Sequence, residues 1–421
     1  MTGRRDSYPW TDLVCRAVAA ILLASPAAAE PRATELVLHE PLPVEEAPTG
    51  PGVRAGAFVL FPVLGLSETY DDNIFAARDN RKDDFIRTIA PSLTAVSKTA
   101  DHSARLQAGG HAGFYKWHSS ENFVDAHLSA EGATTLSPAT RIFGGGWVGR
   151  DHEERESNYE RFGREPTRYW EFRSYGGVQH RLGPLSLRLG GRVERLDFRD
   201  TSAAGGAINN DDRDRNIFSG GVQAAYAVTE SFEPFVQAAF DLRRYDDARD
   251  DNGLTRDSNG TRLLAGARVH PAPTLLASAF AGLMAQDYDD TRLKDVKRPG
   301  LGATLHWTPT PETRLSAIVD RVIDETILNH ASGVVETSAG LVLRRDVGER
   351  LIAHIRLGAG RSEFPGIGRE DERVSAGGTL TWQFNSRFSL IGEYNWTGQT
   401  SSADGGAYRR NRVVLGVEGR F

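Results

Sequence analysis

"PLSLRLGGRVE", Pro184–Glu194, alternates without a break after its proline. Leu185, Leu187, Leu189 and Val193 share one parity; Ser186, Arg188, Gly190, Arg192 and Glu194 share the other. Successive side chains of a strand point to opposite faces, so this is a strand with one apolar and one polar side. A soluble sandwich gives the same pattern, so one such strand decides nothing. Its length and repetition do. "RYWEFRSYGGVQHR" (168–181), "RLIAHIRLGAG" (350–360), "RVSAGGTLTWQF" (373–384) and the terminal "RVVLGVEGRF" (412–421) repeat the texture. The alternation lasts about 10–14 residues, against about 5–6 for a globular strand and about 9–11 for a tilted membrane strand.

Between these strands lie two kinds of connection. Short turns recur at Thr99–His102, Ser137–Thr140, Gly183–Pro184, Thr229–Ser231, Pro271–Pro273, Thr308–Pro311, Gly348–Glu349 and Asn385–Arg387. They use the residue types that tight turns favour. The others are charged or glycine-rich: 78–84, 153–166, 200–214, 246–260 and 397–407. Short connections on one side and long ones on the other are the asymmetry of an outer-membrane barrel. The fold class expected is all-β, a transmembrane antiparallel up-and-down barrel of about 18 strands, or 16 if one hairpin has been split in two. Aromatics near strand ends (Phe232, Phe235, Trp307, Trp382, Phe384, Phe388, Tyr394, Trp396) are read as interfacial girdles.

Three regions are expected: a secretory signal peptide over 1–29, a proline-rich periplasmic tether over 30–56 and the barrel over 57–421. Arg4 and Arg5 precede an apolar stretch, and Ala27-Ala28-Ala29 offers a small-residue cleavage site. The only cysteine, Cys15, lies in that first region, so the exported chain would carry no disulfide. No later segment approaches the ~20 apolar residues of a membrane helix. The formal net charge of −6 gives no basis for binding nucleic acid. Lysine occurs at only five positions (82, 98, 116, 294 and 297), so 50 − 5 leaves 45 arginines. A GC-rich genome could give that bias; a functional reading is the planar guanidinium's fit to carboxylate, phosphate or sulfate.

"YDD" recurs at 70–72, 245–247 and 288–290, each time at the end of an alternating stretch. The tyrosine is read as interfacial and the aspartates as the start of a solvated loop. A divalent cation is the alternative, but no triplet has the spaced D-x-D-x-D-G pattern. With the leader, the tether, the repeated hairpins and "VVLGVEGRF", the stretch "YDDNIF" resembles the putative β-barrel porin 2 family of Gram-negative outer-membrane proteins. The resemblance covers roughly 57–421. It implies a porin-like barrel in the cell outer membrane and a context of exopolysaccharide export. It also implies that the terminal Phe421 is the aromatic signal read by the barrel-assembly machinery.

No catalytic residue, metal site or cofactor is expected. There is no G-x-S-x-G and no H-E-x-x-H. "AGGHAGF" (108–114) and "FGGGWVG" (143–149) fall within strands, where glycine relieves crowding or marks a bend and cradles no phosphate. Outer-membrane hydrolases do exist, and Glu153 with Glu154 would be candidates, but such pairs arise by chance in an acidic chain. Candidate pore-lining residues follow from the polar parity. They are Arg105, Arg173, Arg188, Arg192, Arg262, Arg268, Arg314, Arg344, Arg356, Arg373 and Arg412, with Glu171, Glu194, Asp320, Glu336, Glu393 and Glu418. These charges either pair across strands and stiffen a wet wall, or form an arginine strip that conducts anions. The expected role is porin-like passage of hydrophilic solutes, anionic ones included. The alternatives are an exopolysaccharide secretion barrel and a non-conducting adhesive barrel. Expected partners are outer-membrane lipid and lipopolysaccharide, the assembly machinery, and a polysaccharide or small hydrophilic solute.

Overall fold

In the computed structural model, residues 50–157, 163–203 and 206–421 are described. The expected signal peptide and most of the tether lie outside them. Eighteen long strands among the described residues form one closed antiparallel barrel. They are β1 Phe58–Asp71, β2 Asp84–Lys98, β3 His102–Tyr115, β4 Phe123–Ser137, β5 Thr140–His152 and β6 Arg168–Leu182. Next come β7 Leu185–Phe198, β8 Arg215–Tyr226, β9 Phe232–Tyr245, β10 Ser258–Ala272, β11 Leu275–Tyr288 and β12 Val296–Thr310. The last are β13 Thr313–Asp324, β14 Val334–Val347, β15 Leu351–Phe364, β16 Arg369–Gln383, β17 Phe388–Ser401 and β18 Tyr408–Arg420. Every strand pairs with its sequence neighbours, and β18 returns to β1 from Val63↔Arg420 to Asp71↔Arg412. Closure leaves no edge strand to be templated by another chain.

The alternation shows which way each parity faces. In β7, Leu189 is 58% exposed and Arg192 6%; in β11, Leu283 is 68% exposed and Met284 3%. The apolar parity therefore covers the outside, the reverse of a water-soluble barrel. Strands of 12 to 15 residues are long enough to cross a bilayer's hydrocarbon at a tilt. No helix among the described residues is long and apolar enough to cross a membrane.

Turns at one end are short. Gly183 and Gly348 adopt φ of 61° and 64°, a region open to glycine without strain. The other end carries the long connections, and their extents differ from the expected ones. β17 runs on to Ser401, so much of "TGQTSSADGGA" is strand. Connections 116–122 and 325–333 carry no strong loop signal; 289–295 opens on the Asp289-Asp290 read as a loop start, and 365–368 is the short Pro-Gly-Ile-Gly turn.

Four of these connections close with the same device. The aromatic residue that ends the outgoing strand donates its backbone N–H to an Asp or Asn just before the returning strand. The pairs are Tyr115 to Asn122 at 2.7 Å, Phe198 to Asp214 at 2.6 Å, Tyr245 to Asp257 at 2.8 Å and Tyr288 to Asp295 at 3.2 Å. The side chain satisfies a strand-end donor that the ladder leaves open.

Candidate functional site

Among the described residues the inner wall is the concave surface on which polar residues from all the strands converge. Every charged candidate named from the sequence lies on the parity that faces it, and most have an oppositely charged or polar partner close by. Arg173 Nε lies 2.5 Å from Glu171 Oε1, and Arg192 is paired with Glu194. Arg268 is paired with Glu233 and donates to Gln223 Oε1 at 2.7 Å. Arg356 Nη2 lies 3.1 Å from Glu393, Arg344 Nε 2.9 Å from Asp346, and Arg420 Nη2 2.7 Å from Glu418. Arg188 donates to Gln179 at 3.1 Å, and Arg373 to Gln399 at 3.1 Å. Arg105 stands across from Glu131, and Arg314 across from Arg344 near the short turns. Asp320, Glu336 and Arg412 are half-buried on the same wall, and Arg262 is buried.

Several of these guanidiniums lie over aromatic rings. Arg173 sits 4.4 Å from the Trp147 ring centre, Arg188 5.9 Å from Phe143 and Arg268 5.1 Å from Phe235. Each ring rests on a glycine, namely Gly149, Gly177 and Gly266, where a Cβ would run into it. Ring and cation attract, and the glycine lets both lie flat against the wall. This gives the glycine-rich stretch 143–149 a packing role. Phe235 thus points inward, and only 6% of it is exposed; it does not belong to the outer girdle.

The Tyr-Asp-Asp triplets also differ from expectation. Tyr70 faces outward, but Tyr245 donates to Glu325 at 2.6 Å inside the barrel, and Tyr288 is buried. Asp71 is fully buried rather than solvated, with Arg410 Nη2 at 2.5 Å. Asp72 accepts from Asn411 N at 2.7 Å and Nδ2 at 2.6 Å, and Asn73 Nδ2 donates to Arg409 O at 2.9 Å. Residues 71–73 therefore grip 409–411 and extend the β1–β18 seam beyond its ladder. The first triplet's polar groups are consumed in closing the barrel, whereas Asp246, Asp247 and Asp289 are exposed, as expected of a loop start.

Connections at the long-loop end fold inward. Glu325 reaches Arg243 on β9, and Arg243 Nη2 donates to Ile323 O at 2.8 Å. Arg256 donates to Ala331 O at 2.7 Å and Leu328 O at 3.3 Å, with Asp250 at 2.8 Å. Beneath them Leu254, Leu293, Met284, Tyr288, Val296, Ile323 and Val335 form a buried apolar cluster. On the other side Arg155 meets Glu121 at 2.7 Å, Glu153 pairs with Arg213, and Glu156 lies 3.0 Å from Arg410. Burial pushes the Glu156 carboxyl up, but Arg410, Arg412 and Arg373 outweigh it and hold it below its ordinary value.

Sequence reasoning missed Arg243, Arg256, Glu325, Glu156 and Arg410. Arg410 continues the inward parity of the terminal strand, so extending that strand by two residues would have found it; Arg243 lies on β9, whose alternation was not read. Glu325, Arg256 and Glu156 sit in connections without period, where no sequence signal foretells an inward fold.

The model of the family described as putative beta-barrel porin 2 matches residues 47–421. No curated protein matches the chain. Among solved structures it is similar to the outer membrane protein OpdK from Pseudomonas aeruginosa, at 14% identity and a TM-score of 0.45, covering 86% of this chain and 99% of that one. It is similar to OccAB4 of Acinetobacter baumannii at 13% identity and 0.44, covering 88% and 99%. Against the siderophore receptor PirA of Pseudomonas aeruginosa the values are 8% and 0.42, with 86% and 80% covered. These likenesses are of fold alone.

Proposed function

The chain belongs to the putative beta-barrel porin 2 family, and we propose that it gives hydrophilic solutes a passage across the outer membrane. The observation that carries this reading is the wall itself. It is closed, apolar outside and polar inside, with hydroxyls, amides and paired charges from end to end. A non-conducting adhesive barrel would not need that polar interior and could fill it with packed side chains. The charges are nearly matched in sign along the wall, so water and polar solutes are favoured there more than any one ion.

The test is a planar-bilayer recording of the full chain. Steady conductance at modest voltage supports the passage. A trace that stays closed at every voltage and salt concentration, from protein shown to be folded by heat-modifiable migration, overturns it. A trace that opens only with added partner proteins indicates a secretion barrel instead.

A further inference from the structure

Burial around the inner wall is lopsided. On β7 to β12 most inward positions are packed: Ser219, Gln223, Ala239, Leu264, Met284 and Gln286 are all at most 8% exposed. Part of that packing comes from above, where connections 246–257, 289–295 and 325–333 sit on the sector with their own apolar cluster. On the rest of the wall, from β13 round through β18 to β6, most inward positions keep free surface, with Ser316, Thr379, Ser389 and Gln399 among the buried exceptions. Ser67, Ser92, Gln107, Ser129, Ser375 and Thr397 are half-buried, and His111 and Ser338 are exposed. Along the strands the lumen is therefore filled on one side, while the other keeps free surface below connection 153–157, whose Glu156 meets Arg373 and Arg410 at the long-loop end.

The open side has a recognisable chemistry. Hydroxyl and amide groups make up much of its surface, and they both donate and accept. Its guanidiniums are matched by carboxylates: Arg356 by Glu393 at 3.1 Å, Arg344 by Asp346 at 2.9 Å and Arg420 by Glu418 at 2.7 Å, with Arg105 across from Glu131. A selective ion path needs an excess of one sign along its wall. This surface has no such excess. We infer that solute passes off-axis, against the inner faces of β13–β18 and β1–β6, and that the path suits uncharged polyhydroxylated solutes better than anions.

This rests on the passage proposed above, and the test separates the two. Single cysteines are placed at Ser129 and Ser375 on the open side and at Ser219 and Ala239 on the packed side, in the full chain reconstituted in bilayers. The unsubstituted chain, with Cys15, serves as the background. A water-soluble methanethiosulfonate should label Ser129→Cys and Ser375→Cys and lower the current about twofold or more, and should label the packed pair at least about tenfold more slowly. In a salt gradient the anion-to-cation permeability ratio should stay within about twofold of one. Proteoliposomes should take up a sugar alcohol at least as fast as a carboxylate of similar size. Equal labelling of the two sides overturns the off-axis path. A strong anion preference, or faster carboxylate uptake, overturns the solute class. If no variant conducts, the passage itself fails, while the labelling contrast still reports which side is open.

Discussion

Asp214 illustrates how a single side chain can carry a property that no pattern shows. It precedes β8, accepts the Phe198 N–H at 2.6 Å and lies 3.6 Å from Arg195. Burial, joined by the nearby Asp197 and Asp211 charges, pushes its carboxyl up to about 6, against the pull of the Phe198 N–H and Arg195. The raised value means that the folded chain holds this proton more tightly than the unfolded one. Its contribution to stability is present at low pH and is lost as pH rises from the ordinary carboxyl value through about 6. Melting in detergent on either side of about pH 6 should show the wild type less stable on the alkaline side. Asp214→Asn should remove that difference. An undiminished difference in the variant would assign it to another group. The parity of β7 was legible from its first ten residues. The role of Asp214 was not, because it depends on where a connection without period returns.

At the scale of elements, the strands were legible and the connections were not. Alternation fixes a strand's two faces, and closure requires the faces to agree around the ring, so Arg173, Arg188 and Arg356 could be placed from sequence. Strand ends could not, because β17 keeps its ladder into a glycine-rich stretch that reads as loop. Nor could the inward fold of 325–333, which is held at Glu325 by Arg243 and Tyr245 and further along by Arg256. Arg256 is 4% exposed and holds carbonyls of that connection. Arg256→Ala would strand Asp250 and those carbonyls in a buried site, at about 3–5 kcal/mol. Protease should then cut within 246–257 and 325–333 while the strands stay intact; an unchanged digest would mean that the apolar cluster and the Glu325 contacts hold the cap without Arg256. A second element-scale case is Gly282 on β11, where a Cβ would strike the Leu263 carbonyl of the adjoining strand. Backbone cannot swing aside as a side chain can. Gly282→Ala should therefore cost about 1–3 kcal/mol, seen as a lower melting temperature of the heat-modifiable form.

For the molecule as a whole, the decisive event is the meeting of its first and last strands. The β1–β18 ladder continues into the Asp71–Arg410 and Asp72–Asn411 contacts at one end and the Phe421 N–H to Pro62 O bond of 3.0 Å at the other. Phe421 is 47% exposed on the outside, its ring edge-on to Phe388 at 6.2 Å. It makes few contacts that would stabilise the finished barrel, so a role in assembly would show as a loss of yield. Removing Phe421 should lower the amount inserted in cells several-fold and leave the melting of the inserted fraction nearly unchanged. Normal insertion would reduce the residue to a girdle aromatic.

The central claim is that alternate residues of each strand divide between lipid and a water-filled lumen. Spin labels placed one at a time along β14 to β16, in the full chain reconstituted in bilayers, test it most directly. Collision with lipid-soluble oxygen should peak at Ile355, Leu357 and Val374, and collision with a water-soluble nickel chelate at His354, Gly358 and Ser375, with a period of two. Labels that see oxygen and the nickel chelate alike at both parities would contradict the account.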